Sequence, residues 1–153
     1  VRVARFHNIF GPEGTWQGGK EKAPAAICRK VALSDGEIEV WGDGEQTRSF
    51  LFIDECIEGM QRIMESNYDK PLNLGSTRMI SINELVTLIA LLNGKNVSIR
   101  NIDGPRGVMG RNSDNKLIKE TIGWTPDEDL ESGLIKTYAW IQEQIKLNKQ
   151  DVE

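Results

Sequence analysis

The sequence predicts a layered fold in which helices alternate with short strands, of the α/β or α+β class. Short β-branched runs bounded by Gly, Pro or Asn predict the strands, and apolar residues at helical spacing between them predict the helices. The composition, with 39% hydrophobic and 27% charged residues, is typical of a globular domain. A chain of 153 residues has the length of one ordinary domain, and we therefore predict a single region over residues 1–153.

The first third of the chain predicts a strand, a loop, a helix and two further strands. VRVARF predicts a strand that closes at the Gly11–Pro12 turn signal, and a glycine-rich loop follows. Helical spacing then predicts a helix from Pro24 to about residue 33, with the proline in the first turn, where no N–H is needed. EIEVWGDGEQTRSFLFID predicts two short strands around the Gly42-Asp43-Gly44 turn.

Two amphipathic helices are predicted in the middle of the chain. ECIEGMQRIMES has apolar residues at helical spacing, and Asp54 is its expected N-cap. SINELVTLIALLNG carries a capping box of Ser81 and Glu84, and Asn93 with Gly94 is expected to end the helix. The capping box makes the second helix the clearest in the sequence.

The remaining elements continue the alternation. PLNLGS and NVSIRNID predict short strands, one before and one after the capping-box helix. NSDNKLIKETIGW predicts a helix that ends at Trp124-Thr125-Pro126. A last amphipathic helix is expected from Leu130 to about residue 147. Cys28 and Cys56 fall on predicted helices and are interpreted as small packing residues.

Composition and charge exclude several classes of function. A net charge of −4 does not favour nucleic acid as a partner, and no apolar run approaches the ~18 residues of a membrane helix. Two cysteines and one histidine suit neither a disulfide framework nor a metal centre. We therefore expect a soluble cytoplasmic protein without a metal. Because the chain begins without Met in a predicted strand, we also expect it to be the C-terminal part of a longer protein.

The segment GPRGVMG has glycines at 104, 107 and 110 after a predicted strand, a spacing that resembles a dinucleotide-binding turn. A proline occupies the turn, no apolar helix begins at the third glycine, and no strand ending in Asp or Glu follows about 20 residues on. We therefore predict a loop that approaches a ligand or another strand instead.

The loop GTWQGGKEKAPAA places Lys22 beside flexible glycines and directly before a predicted helix. Two interpretations remain open from the residues alone. The loop is either a solvated surface segment or a mobile segment that holds a lysine at the mouth of a pocket and closes over an anionic ligand.

Four motifs in order resemble the C-terminal half of the nucleotide-sugar enzymes of the extended short-chain dehydrogenase/reductase family. They are RFHNIFGP, RSFLFIDECIEGM, LNLGS and RNSDNKLIKETIGWTP. GTWQGGKEKAPAA, WGDGEQTRSF and GRNSDN are most similar to the branch that epimerises GDP-mannose. The resemblance implies an α/β fold, in which this chain is the substrate-binding part that completes a Rossmann-type domain, and the N-terminal NAD-binding domain lies outside the chain.

The resemblance also implies a reaction and a set of site residues. Family members use bound NAD to oxidise C4 of the sugar transiently, which acidifies the C3 and C5 hydrogens, and they commonly form homodimers. Lys22 matches one member of the acid/base pair, and the other is a cysteine outside this chain. The positions that match substrate-binding residues are Asn8, Glu21, Ala23, Lys30, Gln46, Thr47, Arg48 and Arg111. Neither Tyr68 nor Tyr138 has a lysine four residues on, so the family's Tyr-x-x-x-Lys pair is not matched and no cofactor-binding residue is predicted here.

Elementary chemistry is consistent with these roles. Inversion requires removal of a proton from one face of the ring and delivery to the other, for which a lysine is a suitable donor. Guanidinium groups match the geometry of a diphosphate. Two alternatives stay open: another nucleotide-sugar 4-epimerase or dehydratase of the same superfamily, and a non-catalytic binding module.

Overall fold

The computed structural model describes residues 1–104, 107–127 and 129–150, along which short strands alternate with helices. The strands are β1 (Ala4–Phe6), β2 (Ile9–Phe10), β3 (Glu37–Trp41), β4 (Thr47–Arg48), β5 (Leu51–Phe52), β6 (Leu72–Leu74), β7 (Ile80–Ser81), β8 (Ser98–Ile102) and β9 (Gly110–Arg111). The helices are α1 (Ala23–Leu33), α2 (Ile53–Glu65), α3 (Ile82–Leu92), α4 (Lys116–Ile122) and α5 (Leu130–Gln150).

The strands form small, mostly parallel groups. β1 pairs with β6, β2 with β5 and β3 with β8, all in parallel. β4 lies between β7 and β9, antiparallel to the first and parallel to the second. Because parallel neighbours need crossover connections, the chain places helices between them. The α/β class predicted from the sequence is confirmed.

Two clusters of buried side chains hold these layers together. The larger cluster lies where α1, α3 and α5 pack on one another and against β3. The smaller cluster lies between α2, α4 and β6. The largest fully buried aliphatic residues are Val31, Leu51, Leu72, Leu74, Leu85, Val86, Ile89, Ile118, Leu134 and Ile141. The inner face of α1 is thus packed into the larger cluster, and the N-terminal end of the helix lies at the border of this core.

The capping box predicted for α3 is confirmed. Glu84 N donates to Ser81 Oγ at 3.1 Å, and Ser81 N donates to Glu84 Oε2 at 2.8 Å. These reciprocal bonds satisfy two backbone donors that the helix start would leave without partners. The helix ends at Leu92 with Asn93 as its C-cap, and Gly94 follows with a φ of 62°.

The strands predicted around the 42–44 turn are present, and β3 pairs with β8 whereas β4 pairs with β7 and β9. The structure corrects two other local predictions. Asp54 is not an N-cap: α2 begins at Ile53, and Asp54 instead reaches Lys136 on α5 at 3.1 Å. α4 ends at Ile122, before the expected stop, because Gly123 adopts a left-handed conformation.

Both cysteines are free and buried, as expected for packing residues. Burial raises the pKa of Cys28 to about 12 and also raises the pKa of Cys56. Neither thiol therefore ionises near neutral pH, which suits packing and not acid/base chemistry. Within the described part of the chain, no helix is long and apolar enough to cross a membrane, and no cluster of three potential metal ligands occurs.

Candidate functional site

A cleft of about 460 Å³ lies beside the N-terminal half of α1. Its apolar wall comes from Ile27 on α1, Ile38 and Val40 on β3, and Ile82 at the start of α3. Polar side chains border the opening. An apolar cleft with a few polar groups at its rim is the usual form of a small-molecule site.

Four of the residues predicted to bind substrate line this cleft, although they lie on three different segments of the chain. They are Glu21, Ala23, Lys30 and Gln46. Lys30 Nζ donates to the backbone oxygen of Glu39 at 2.7 Å, which holds the ammonium group over the edge of β3. The tertiary structure therefore brings together residues whose separation in sequence gave no sign of a common pocket.

Lys22 lies between two cleft-lining residues, Glu21 and Ala23, and is exposed. It is the N-cap residue of α1 with an extended backbone, and its carbonyl oxygen accepts the N–H of Ala26 at 3.0 Å. The part of the chain that the structure describes offers its ammonium group no hydrogen bond or ion pair. Lys22 thus has a fixed backbone and an uncommitted side chain at the cleft edge.

The loop before Lys22 is held by a network centred on the Glu21 carboxylate. Gly19 N donates to Glu21 Oε2 at 2.7 Å, and Arg29 Nη2 donates to Glu21 Oε1 at 2.9 Å. Arg29 Nε also donates to the carbonyl oxygen of Trp16 at 3.1 Å. The pKa of the Glu21 carboxyl group is held below its usual value by the hydrogen bond from the Glu21 backbone N–H, and then by those from Gly19 and Arg29. Burial opposes this effect.

Arg48 and Arg111 are brought together on neighbouring strands. They are directly opposite each other in the parallel pair β4–β9, so their side chains leave the sheet on the same face. Ser49 N donates to the carbonyl oxygen of Arg111 at 3.1 Å, which extends the pairing by one residue. Arg111 is exposed and Arg48 is half-buried, with Nη1 bonded to the carbonyl oxygen of Thr47 at 2.7 Å. Neither arginine lines the α1 cleft itself.

Asn8 and Thr47 hold strands in place. Asn8 has a left-handed backbone with a φ of 49°, and its Nδ2 donates to the carbonyl oxygen of Ser49 at 2.9 Å. Its own carbonyl oxygen accepts the N–H of Leu51 at 3.2 Å. The N–H of Thr47 donates to the carbonyl oxygen of Met109 at 2.8 Å. These contacts connect β2, β4 and the segment before β9 around the two arginines.

Trp41 is a site residue that the sequence analysis missed. It is 56% exposed and lines the cleft at the end of β3. The strict burial alternation of β3 places Trp41 on the exposed face together with Glu37 and Glu39. That alternation, read from Glu37 to the turn at Gly42, is the sequence signal that identifies an outward tryptophan.

The glycines of GPRGVMG are explained by close approach to neighbouring side chains. A β-carbon on Gly104 would lie 2.7 Å from Cγ of Trp41, and one on Gly107 would lie 3.2 Å from Nη2 of Arg48. Gly110 opens β9 and not a helix. This loop therefore approaches another strand, as predicted, and lacks the helix that a dinucleotide-binding turn needs. Pro105 and Arg106 lie outside the described residues.

A second cavity, of about 700 Å³, lies between the segment after β9 and α4. It is lined by polar residues that include Asn112, Asp114 and Lys119, and none of the predicted site residues contributes to it. We therefore place the candidate site at the α1 cleft and the adjacent arginine pair.

Comparison with known proteins agrees with this fold. The sequence model of the NAD dependent epimerase/dehydratase family matches residues 1–75. The crystal structure of a UDP-glucose 4-epimerase with UDP-glucose, from Thermotoga maritima, superimposes with a TM-score of 0.84 at 25% identity. That match covers 94% of this chain and 46% of the epimerase. The chain is thus a homologue of the nucleotide-sugar epimerases in the NAD dependent epimerase/dehydratase family.

The sequence is more similar to one kind of epimerase. It is 55% identical over 148 residues, 97% of its length, to GDP-mannose 3,5-epimerase from Arabidopsis thaliana. It is 33% identical over 95% of its length to UDP-glucuronic acid decarboxylase 1 from Xenopus tropicalis. The chain spans 39% of the length of the first relative and 34% of the second.

Proposed function

We propose that this chain is the substrate-binding part of a longer enzyme that inverts C3 and C5 of GDP-mannose through a transient 4-keto sugar. The observation that carries the proposal is the convergence of four predicted substrate residues on one cleft with Lys22 at its edge. The 55% identity to a GDP-mannose 3,5-epimerase supports the choice of reaction and of sugar nucleotide.

The two ends of the site have the chemistry that a sugar nucleotide requires. The opposed Arg48 and Arg111 would bind the diphosphate, because guanidinium groups form paired hydrogen bonds with phosphate oxygens. The flat indole of Trp41 and the apolar wall of the cleft offer a surface for a ring of the ligand. We infer that the diphosphate binds the arginine pair and that the sugar is directed into the cleft towards Lys22.

Lys22 would act as the proton donor. A ketone at C4 makes the C3 and C5 hydrogens acidic, and inversion requires that the proton return on the opposite face. A lysine whose ammonium group has no partner among the described residues can turn its charge towards a bound enolate, which also stabilises that anion. The base on the other face, a cysteine in the resemblance, would come from a part of the protein outside this chain.

NAD, when bound, would accept and return the C4 hydride. The described residues do not fit a dinucleotide site, because the glycine loop leads into β9 and its glycines are occupied by side-chain contacts. We therefore propose that NAD binds to a part of the protein outside this chain. The same proposal includes a cytoplasmic location, which the free cysteines fit. It also includes a homodimer, which is checked by light scattering on the full-length protein.

The test is the fate of the ring hydrogens. Full-length protein is incubated with GDP-mannose and NAD in D₂O, and the product is analysed by NMR. We expect the 3,5-epimer, with deuterium at both C3 and C5. Product inverted at C4 alone, without deuterium in the ring, would refute the proposal.

A second candidate function is favoured by the 33% identity to a UDP-glucuronic acid decarboxylase, a relative that acts on a uridine sugar nucleotide. Another epimerase or dehydratase of the superfamily would share the fold and the arginine pair. Competition by GDP and UDP for binding to the full-length protein separates the two. Preference for UDP would favour the second candidate, and binding of neither would favour a non-catalytic module.

A further inference from the structure

The guanidinium group of Arg29 joins two ends of the loop that leads to Lys22. Its Nε donates to the carbonyl oxygen of Trp16, and its Nη2 donates to the Glu21 carboxylate. Glu21 in turn accepts the N–H of Gly19. The Arg29 side chain on α1 therefore bonds the beginning and the end of the segment from residue 16 to residue 21, and Glu21 connects the end to Gly19.

The segment needs such an anchor because its backbone has little order of its own. Gly18 and Gly19 have φ values of 91° and 83°, and nothing lies within 4 Å of a β-carbon built at either position. Glycines in open space lose more conformational entropy on ordering than other residues. Since no packing holds the glycines, the hydrogen bonds of Glu21 and Arg29 must supply the order.

The anchor itself is rigid. The Glu21 side chain is 8% exposed and that of Arg29 is 29% exposed, so water competes weakly for their ion pair. Arg29 lies in the middle of α1, whose buried residues pack into the main core. Trp16 also packs against that core. The loop is thus attached to the rigid part of the domain at both ends.

We propose that Arg29 is a positioning residue, which orders the loop of residues 16–21 and so fixes the backbone from which Lys22 reaches the substrate. The inference rests on the proposed function for the role of Lys22, but the ordering of the loop is a separate claim. Arginine suits this role because its rigid planar fork presents Nε to the Trp16 carbonyl and Nη2 to the Glu21 carboxylate at the same time.

The first experiment measures the loop and not activity. Hydrogen–deuterium exchange is followed at the Gly19 amide in the full-length protein and in its Arg29→Gln, Arg29→Lys and Glu21→Gln variants. Arg62→Gln is the matched control, since Arg62 is also a helical arginine in an ion pair but lies on α2. We expect about tenfold or faster exchange in Arg29→Gln, a smaller increase in Arg29→Lys and none in Arg62→Gln.

The double variant Arg29→Gln/Glu21→Gln keeps the test independent of any general loss of stability. If Arg29 and Glu21 act through one network, the Gly19 amide in the double variant should exchange at the rate of the more affected single variant. The reason is that the bond between Arg29 and Glu21 is already lost in each single variant. If the fold-increase in Gly19 exchange in the double variant equals the product of the two single increases, the residues act independently and the network is refuted. Wild-type exchange at Gly19 in Arg29→Gln would overturn the proposal outright.

The second experiment separates positioning from binding. We expect Arg29→Gln to lower kcat for epimer formation about tenfold with little change in KM, whereas transient reduction of NAD is retained and Arg29→Lys partly restores kcat. Unchanged kcat despite faster exchange would overturn the positioning role. If Lys22→Met forms epimers at the wild-type rate while Gly19 exchange still depends on Arg29, the proposed donor role fails and the ordering of the loop stands.

Discussion

The two sides of the candidate site are held by different means. On one side, Lys22 follows a glycine-rich loop that is anchored by the side chains of Glu21 and Arg29. On the other side, Arg48 and Arg111 lie on paired strands, and their register is fixed by the backbone. The first side has a lysine side chain that has no partner among the described residues, whereas the second has two cations whose backbone positions are set by strand pairing.

This difference corresponds to what each side has to do. A diphosphate has a constant shape, so its ligands gain from a rigid frame that avoids an entropic cost on binding. A proton donor must reach carbons that change position and charge during the reaction, so it gains from a long, free side chain on a defined backbone. The predictions below test whether the two sides are separable in this way.

The largest effect is expected at the loop side. Replacing Lys22 by Met in the full-length enzyme keeps the bulk of the stem but removes the transferable proton. Epimer formation should fall by roughly 10²–10⁴-fold, the usual cost of one positioned acid or base. Oxidation at C4, measured as transient NADH absorbance, should persist.

The neighbouring loop lysine provides the control for this prediction. Lys20 is exposed in the same loop and, like Lys22, is not itself a lining residue of the cleft, but it is not the proposed donor. Lys20→Met should therefore leave epimer formation within twofold of wild type. Equal losses in both variants would show that the loop needs positive charge and not a donor at Lys22. No loss in either variant would mean that the loop is a solvated surface segment.

Substitutions of Arg48 and Arg111 on the strand side should lower the affinity for the nucleotide and not the rate of the chemical step. Arg48→Ala and Arg111→Ala in the full-length enzyme should each weaken GDP binding about tenfold or more, because a hydrogen bond to a charged group contributes about 1.5–3 kcal/mol. Calorimetric titration with GDP measures the effect without turnover. Arg5→Ala is the control, since Arg5 is also exposed on a strand of a parallel pair. Wild-type affinity in both site variants would remove the arginines from the site.

Acid should loosen the loop side through Glu21. Because its hydrogen bonds and Arg29 hold the pKa of Glu21 below the ordinary value of 4.5, their stabilising effect is complete above pH 4.5 and is lost as pH falls through the lowered pKa. Arg29 on α1, which forms an ion pair with this carboxylate, and the adjacent Lys20 and Lys22 are the basic residues beside it. Gly19 exchange, normalised to the intrinsic rate at each pH, should therefore accelerate below pH 4.5 in the full-length protein.

The Glu21→Gln variant shows whether this acid response belongs to Glu21. The variant lacks the titrating carboxylate, so its Gly19 exchange should already be fast at pH 7 and should show no further step in acid. An acid step of wild-type size in Glu21→Gln would assign the response to another group.

The smallest effect is expected for the cofactor. Calorimetric titration of the 153-residue chain with NAD should give no heat beyond dilution, because Gly110 opens a strand and Gly104 and Gly107 lie close to the side chains of Trp41 and Arg48. A circular dichroism spectrum that shows folded protein is the necessary control. Micromolar binding would show that the loop is a dinucleotide site after all.

Local signals in the sequence determined the elements of this protein well. The helix after Pro24 and the capping box of Ser81 and Glu84 are found where they were predicted, because caps and helical spacing act over a few residues. The alternation of predicted strands and helices was also sufficient to predict the α/β class. Local errors arose at Asp54 and at the end of α4, where caps compete with other partners or a glycine stops the helix earlier.

Tertiary structure alone decided which residues meet. The strands on either side of the 42–44 turn are neighbours in sequence, yet β3 and β4 find partners far along the chain, at β8 and β9. That pairing brings Arg111 beside Arg48, and the packing of α1 on β3 places Trp41 and Lys30 around one cleft. The bonds that connect Arg29 with Glu21 and Trp16 depend on the same fold. The chemistry of these side chains is evident in the sequence. Their distances in space depend on strand register and helix packing, and no short window of sequence contains that information.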